Sequence, residues 1–286
     1  MSLTDYQFSY NGLTFNAGTN IGLISIAGLA DLPDIRSSDV ARPRDQGLLF
    51  GNDFLGGRTI TLALEIVKAP GLTLAQSVDL VKAAFQPLQN TALPLAFQLP
   101  GQGNRVINCR CRKLTDTVDV SFAGGITTMS VQLSAMDPRI YDATGQTMNT
   151  TLPTAFGGVT FNVTFPLTFP GGTITTGGTI TSTNSGNYPT RPVVTITGPV
   201  TNPRLENVNT GETLTLMLTL AGSDTLTINF DARVITLNGT ASRYGTVASG
   251  SVFWQIYPGS NTITFRSSDS APTGAVAYVA FASAWL

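Results

Sequence analysis

Short runs of alternating apolar and polar residues fill the second half of the chain and limit what it can fold into. From Pro192 onward such runs recur about every 8 to 12 residues, separated by Gly, Pro, Asn and Asp. No helical period of 3.6 residues interrupts them. Short strands at this spacing are typical of a β-sandwich or jelly roll.

Four prolines surround the first regular run, Val193–Thr197. They are Pro189, Pro192, Pro199 and Pro203. Because proline has no N–H to donate to a strand ladder, it is found at sheet edges, strand ends and bulges. We therefore expect this strand to lie at an edge of its sheet, where proline also blocks stray pairing.

The first part of the chain combines strand patterns with one helical pattern. The pair Asn11-Gly12 between two alternating runs predicts a hairpin. Residues 73–88 predict a helix, in which Thr73 and Gln76 have the spacing of a capping box and Pro87 ends the element. The sequence thus predicts a mainly β chain, with a β-sandwich carrying one α-helix over residues 1–148 and a second β-sandwich over 149–286.

Charged side chains are scarce, and this excludes several classes of function. Asp, Glu, Lys and Arg make up 12% of the chain, the net charge is -1, and there is no histidine. Without histidine there is no Ser-His triad and no histidine zinc site. Without a basic patch there is no footprint for nucleic acid or an anionic membrane. The sequence therefore predicts a protein that is not an enzyme and uses no metal or cofactor.

Cys109 and Cys111 lie two residues apart, so on a strand they share one face and are poorly placed for a mutual disulfide. We interpret them as buried thiols, with a redox role as the alternative. The apolar runs are far shorter than the ~18 residues of a membrane-spanning helix. No signal-peptide pattern opens the chain. These features predict a protein made in the cytoplasm without membrane insertion.

Two further regions are candidates for contacts with partners. Residues 31–58 predict a long loop, and long loops in compact domains usually contact partners. In the run "VFWQIYPGSN", Phe253 and Trp254 point to opposite faces, so one ring belongs in the core and the other could stack on a sugar. Tyr257 lies near the adjoining turn. Trp285, next to the last residue, is expected to pack into a sheet or a neighbouring subunit.

Several segments carry a family resemblance. They are "LSAMDPRIYD" (133–142), "GNYPTRPVVTITGPVTNPRLENVNTGETLTL" (186–216), "DTLTINFDARVITLNGTASRY" (224–244) and "FWQIYPGSNTITFRSSD" (253–269). The helical segment followed by "LPLAFQLPGQGNRVINCRCRKL" (93–114) fits the same pattern. Together they resemble the distal tail proteins of long-tailed, non-contractile bacteriophages, also described as siphophage tail components or minor tail proteins.

The resemblance implies a structural part of the phage tail tip. Residues 1–148 would have a tube-protein-like fold and build a hexameric ring, and residues 149–286 would form an outward, galectin-like sandwich. The ring would join the tail tube protein to the tail-tip hub protein and carry host-recognition parts such as a receptor-binding protein. DNA would pass through the lumen without sequence-specific binding. The protein would be assembled in the host cytoplasm and reside in the virion.

The resemblance also suggests a role for the loop at 31–58 as a contact with a neighbouring subunit. Its mixed charges suit intersubunit ion pairs, with a solvated loop as the alternative. They are Asp34, Arg36, Asp39, Arg42, Arg44 and Asp45. An alternative function is a carbohydrate-binding adhesin that uses the second sandwich. For this role, and equally for contact with a protein partner, the candidate residues are Trp254, Tyr257 and Trp285.

Overall fold

The computed structural model describes residues 3–156 and 174–286. The chain forms two compact units. The first consists of Met1–Thr144 together with Trp285–Leu286, and the second of Gly145–Ala284. The boundary predicted from the sequence, between residues 148 and 149, lies close to this division. The last two residues join the first unit, not the second as expected.

The first unit is built on antiparallel strands with helix α1 (Leu74–Ala84) between β8 and β9. Its strands are β1 (Gln7–Tyr10), β2 (Leu13–Asn16), β3 (Ile21–Ala27), β4 (Ile35–Arg36), β5 (Val40–Ala41), β6 (Leu48–Leu49), β7 (Phe54–Leu55), β8 (Arg58–Val67), β9 (Leu93–Gln98), β10 (Arg105–Thr117), β11 (Ile126–Ala135) and β12 (Ile140–Asp142). The main strand order is β2-β1-β9-β10-β11-β8-β3. The first part of β10 pairs with β9 and β12, and the remainder pairs with β11. One strand thus joins two sheet segments.

The predicted hairpin at the start of the chain is confirmed. Strands β1 and β2 pair in register from Gln7 opposite Asn16 to Tyr10 opposite Leu13. Asn11 and Gly12 form the two-residue turn with φ of 48° and 82°. Both angles are left-handed, which glycine and asparagine tolerate better than other residues.

Helix α1 begins where the sequence predicts. The Oγ1 of Thr73 accepts a hydrogen bond from the Gln76 N–H at 3.2 Å, and the Gln76 side chain accepts one from the Thr73 N–H at 2.8 Å. The helix ends at Ala84, however, so the predicted end at residue 88 is wrong. The residue before a proline is disfavoured in helical conformation, and Gln86 precedes Pro87.

The first unit's core lies between α1 and the sheet. The alternating residues Ile60, Leu62, Leu64 and Ile66 of β8 are fully buried, as the period of two predicts. Aromatic rings from the hairpin and the end of α1 complete the core, with Phe8 and Phe15 at 5.5 Å and Tyr10 and Phe85 at 4.9 Å between ring centroids. Such pairs add about 0.5–1.5 kcal/mol each beyond burial.

The second unit consists mainly of two antiparallel sheets. Its strands are β13 (Gln146–Thr151), β14 (Thr154–Phe156), β15 (Ile174–Thr176), β16 (Thr179–Asn184), β17 (Val193–Thr197), β18 (Val200–Thr201), β19 (Arg204–Asn207), β20 (Glu212–Thr215), β21 (Thr219–Leu220), β22 (Thr225–Asn229), β23 (Val234–Leu237), β24 (Ala241–Ser242), β25 (Gly259–Arg266) and β26 (Val276–Phe281). The last strand, β27 (Ala284–Trp285), includes one residue of each unit. The two larger sheets have the orders β13-β26-β17-β22-β23-β24 and β16-β25-β19-β20. The predicted mainly β fold with a β-sandwich is confirmed.

The expected edge position of the proline-framed strand is wrong. Strand β17 pairs with β22 on one side and β26 on the other, so it lies inside its sheet. Pro192 and Pro199 lie just outside the strand ends, where no ladder donor is lost. The prolines therefore limit the length of β17 and do not determine its place in the sheet.

Candidate assembly surface

Residues 32–56 form a hairpin, called the arm below, where the sequence predicts an irregular loop. Strand β4 pairs with β7, and β5 pairs with β6 farther along the arm. At the tip, the Arg42 N–H donates to the Gly47 carbonyl at 3.2 Å. Gly47 has a φ of 97°, a left-handed conformation that favours glycine. The arm is therefore an ordered two-stranded ribbon.

The root of the arm is fixed by a buried arginine. Arg58, the first residue of β8, donates to the carbonyls of Leu29 at 2.5 Å and Asp31 at 2.6 Å. Burial lowers the pKa of this guanidinium, and the Asp31 charge opposes the shift. Gly28 packs so closely that a Cβ there would lie 1.9 Å from the Thr59 carbonyl oxygen. These contacts hold the chain where it leaves and re-enters the first unit.

Side chains within the arm also bond its own backbone. The Ser38 hydroxyl donates to the Asn52 carbonyl at 3.0 Å, and the Gly51 N–H donates to the Asp39 carboxylate at 2.8 Å. These bonds connect the two strands of the arm between its two ladder segments. The arm therefore does not need a partner to acquire its hairpin form.

The predicted intersubunit residues all lie on the arm. They are Asp34, Arg36, Asp39, Arg42, Arg44 and Asp45. Arg42 and Asp45 form an exposed ion pair at 3.7 Å within the tip, and Asp39 bonds the arm backbone. Their pairing across a subunit boundary stays a prediction.

The main feature of the arm is a set of exposed apolar side chains. None of them is among the site residues predicted from the sequence. The exposed apolar side chains are those of Leu32, Ile35, Val40, Leu48, Leu49, Phe50 and Phe54, and Phe50 is 95% exposed. Seven large apolar side chains exposed on one short hairpin exceed the single scattered ones that are normal on a protein surface, and they indicate an interaction surface. The signal was present in the sequence as the run Gly47–Phe50, three large apolar residues after a glycine in an otherwise charged segment.

Among the described residues, the sheet of the first unit has three open ladder edges, one of them at β2, which pairs with β1 alone. Strand β3 pairs with β8 alone. The second half of β10, from Arg110 to Thr117, pairs with β11 alone. Unpaired N–H and C=O groups along such edges can pair with a strand of another chain.

In the second unit, three buried asparagines hold the segment Gln255–Tyr257. The Nδ2 of Asn207 donates to the first carbonyl of this segment at 2.9 Å, and that of Asn184 donates to the second at 3.2 Å. Asn261 bonds the third residue twice, donating to its carbonyl at 2.7 Å and accepting from its N–H at 3.0 Å. Asn207 and Asn261 belong to the segments that carry the family resemblance, so these segments maintain the fold.

The proposed sugar contact of Trp254 is wrong. This ring is 0% exposed and packs on Phe230 with 4.5 Å between ring centroids. Phe253 is half-buried and also packs on Phe230, with 5.7 Å between ring centroids, so the predicted opposite faces for the two rings are wrong. Tyr257 is 43% exposed and is the accessible member of the predicted set.

Trp285 packs against the core of the first unit. The guanidinium carbon of Arg105 lies 4.1 Å from the centroid of its ring, a cation–π arrangement that covers one face. The ring is half-buried. Its contacts in this structure are therefore with its own chain.

The motif "LSAMDPRIYD" also has a structural role. The Tyr141 hydroxyl donates to the Asp137 carboxylate at 2.6 Å and accepts from the Arg139 guanidinium at 3.2 Å. Burial, followed by the nearby Asp137 charge, raises the pKa of the Tyr141 hydroxyl. The three side chains form one connected network in the first unit.

The prediction of buried thiols is confirmed. Cys109 and Cys111 are free and buried, and burial raises the pKa of Cys109 to about 12. A thiol that stays protonated is a poor nucleophile. Within residues 3–156 and 174–286, no three His, Cys, Asp or Glu side chains lie together as metal ligands. In the same ranges, no helix has the length and apolar character needed to cross a membrane.

Comparison with known proteins gives one family match and several structural matches. Residues 185–285 match the family described as "Siphovirus-type tail component, C-terminal domain". A search of curated proteins finds no match. Among solved structures, the chain is similar to the SPP1 Dit protein, described as a paradigm of the hub adsorption apparatus in phages that infect Gram-positive bacteria. The identity is 11%, the match covers 97% of this chain and 98% of that chain, and the TM-score is 0.66.

A chain of the phage P2 baseplate, in its activated conformation with Ca, is also similar. Here the identity is 12%, the match covers 97% of this chain and 98% of that chain, and the TM-score is 0.51. At such identities the two structural matches establish a shared fold. Residues 185–285 therefore match the siphovirus-type tail component domain, and the chain as a whole shares the fold of the SPP1 Dit protein.

Proposed function

We propose that this protein forms a hexameric ring at the tip of a phage tail, joins the tail tube to the tail-tip hub and carries peripheral host-recognition parts. The observation that carries the proposal is the arm, an ordered hairpin with a fixed root whose large apolar side chains are exposed in the single chain. Burying these side chains against another copy would remove them from water, at roughly 25 cal/mol per Å² of apolar surface.

The arm is compatible with a ring of copies. It projects from one place on the first unit, and docking of each arm on a different surface of the next copy would make a heterologous contact. In an open row of copies joined by this contact, one arm and one docking surface stay free at the two ends. Closure into a ring occupies both. The open edges of β3 and β10 supply a second pair of unlike surfaces that could join in the same way.

The open face of the β10-β11-β8-β3 sheet suits a lumen through which DNA passes without sequence-specific binding. Its side chains are mostly uncharged and polar, and include Thr59, Thr61, Thr115, Ser130 and Gln132 beside the charged Glu65 and Lys113. DNA affinity depends mainly on neutralising phosphates with basic residues, which are sparse here. We therefore assign this face to the lumen.

The alternative of a carbohydrate-binding adhesin receives little support from the aromatic residues. Trp254 is buried, and Trp285 is covered by Arg105 on one face. Tyr257 is accessible, but a single exposed tyrosine is common on protein surfaces. We do not propose this function.

The experiment is a mass measurement of the purified full chain combined with negative-stain electron microscopy. We expect particles of six times the 30.1 kDa chain mass that appear as rings with a central opening. A species of one chain mass at high protein concentration, with no rings in the images, would contradict the proposal.

A further inference from the structure

An apolar groove along helix α1 has no role in the contacts described so far. Leu80 lies on the outward face of the helix, 53% exposed, and separates two shallow depressions. Leu72, Gln76 and Asp79 line one depression, and Asn11, Gly12, Leu13, Ala83 and Ala84 line the other. The inward face of α1 is already packed in the core, so the groove is available to a ligand or partner.

We propose that the arm tip of an adjacent copy occupies this groove. The inference rests on the proposed ring and names the acceptor surface within it. Leu48, Leu49 and Phe50 of the arm would contact Leu80 and the leucines on either side. The occupant is thus a second copy of this chain, contributing residues 40–50.

The chain's own arm does not fill the groove in this structure. The arm re-enters the first unit at Arg58, the start of β8, whereas the groove begins at Leu72, beyond the other end of that strand. Ten strand residues span roughly 30 Å. In the single chain, the tip side chains remain exposed and so does Leu80. A contact between copies would bury both apolar surfaces at once.

The charges beside the two apolar surfaces are complementary. Arg44 lies at the arm tip, and within the described residues it forms no ion pair. Asp79 borders the groove, is exposed, and likewise has no cationic partner in the described parts of the chain. The nearby Lys82 is already engaged with Asp116 at 2.8 Å. An Arg44–Asp79 pair would set the orientation of the arm in the groove.

The test is crosslinking of the full-length double variant Phe50→Cys/Leu80→Cys with a short bismaleimide. The two native cysteines are buried and should not compete. We expect a ladder of covalent multimers on denaturing gels. The matched control Phe50→Cys/Val234→Cys places the second thiol at an exposed apolar position of the second unit and should give no ladder.

The outcomes separate this inference from the ring proposal. If light scattering shows multimers of the Phe50→Cys/Leu80→Cys variant but crosslinking gives no ladder, the docking proposal is contradicted. The ring proposal is not. A crosslink confined to single chains would overturn it as well, because the arm would then fold onto its own groove. A variant and wild-type protein that both remain single chains would overturn the ring and the docking together.

A charge exchange provides a second, independent test. Arg44→Asp should weaken assembly several-fold by placing two acidic groups together, and Arg44→Asp/Asp79→Arg should restore it by re-forming the pair in reverse. Both positions are exposed, so folding of the monomer should not change. Failure of the double variant to assemble better than Arg44→Asp would count against the proposed orientation.

Discussion

In the second unit the residues of the family segments point inward, whereas in the first unit the residues proposed to meet partners point outward. Asn207 and Asn261 are buried and bond the backbone beside the buried Trp254. The arm instead displays large apolar side chains to solvent. The comparison teaches that motifs strong enough to suggest a family can mark residues that maintain a fold, while the surface proposed for assembly carries no comparable motif.

The largest expected effect on stability distinguishes a buried aromatic side chain from an exposed one. Trp254→Ala should lower the free energy of unfolding by about 3–5 kcal/mol, because it leaves a cavity in the second core. Phe50→Ala removes a similarly large ring from the arm tip and should change stability by less than about 0.5 kcal/mol. Calorimetry at concentrations that keep the protein monomeric checks both. Equal losses of unfolding free energy in the two variants would contradict the contrast between the core of the second unit and the exposed arm.

A smaller effect is expected from the asparagines that hold Gln255–Tyr257. Asn261→Ala leaves partly buried backbone groups of Tyr257 without these partners and should cost about 1–3 kcal/mol. The matched control is Asn149→Ala, at an exposed position of β13, with almost no expected cost.

Fluorescence can follow the second unit alone in these variants. The chain has two tryptophans, one in each unit, so a Trp285→Phe background leaves Trp254 as the reporter. Urea unfolding would then give the change in stability. Similar curves for the Asn261 and Asn149 variants would show that the buried amide bonds contribute little.

Alkaline pH should weaken the first unit, with no effect at neutral pH. Burial raises the pKa of Cys109 from 9.0 to about 12 and that of Tyr10 from 10.0 to about 12. The unfolded chain therefore loses these protons first, and the free energy of unfolding falls as pH rises from about 9 towards 12. In a Trp254→Phe background, Trp285 reports the first unit. Stability that is constant up to pH 12 would contradict the assigned burial.

Local rules account for the parts of the fold that the sequence predicts well. The turn at Asn11-Gly12, the capping box at Thr73 and the alternation in β8 each depend on residues close together in the chain. The shared face of Cys109 and Cys111 follows from their spacing on a strand. The end of α1 was placed too late because the restriction on the residue before Pro87 acts earlier than the proline itself.

The remaining features depend on contacts that no local pattern encodes. Alternation assigns Phe253 and Trp254 to opposite faces, whereas in the structure both rings pack on Phe230 and only Trp254 of the two is fully buried. Prolines mark the ends of β17, yet its central position depends on β22 and β26. The strands of the arm have only two residues each, too few to show an alternating period. The sequence therefore does not predict their pairing.

The smallest expected effect on stability comes from Leu49→Ser/Phe50→Ser at the arm tip. Both residues are exposed, so the unfolding free energy of the monomer should change by less than about 0.5 kcal/mol. Thermal unfolding at low protein concentration checks this. A large loss would mean that the tip packs on its own chain and is not free for a partner.

The same variant tests the central claim, that the arm is the assembly surface, through native mass spectrometry beside the wild-type chain at equal concentration. We expect the wild type at six times 30.1 kDa and the variant at 30.1 kDa. A variant that assembles as fully as the wild type, or a wild type that stays at one chain mass, would contradict the claim.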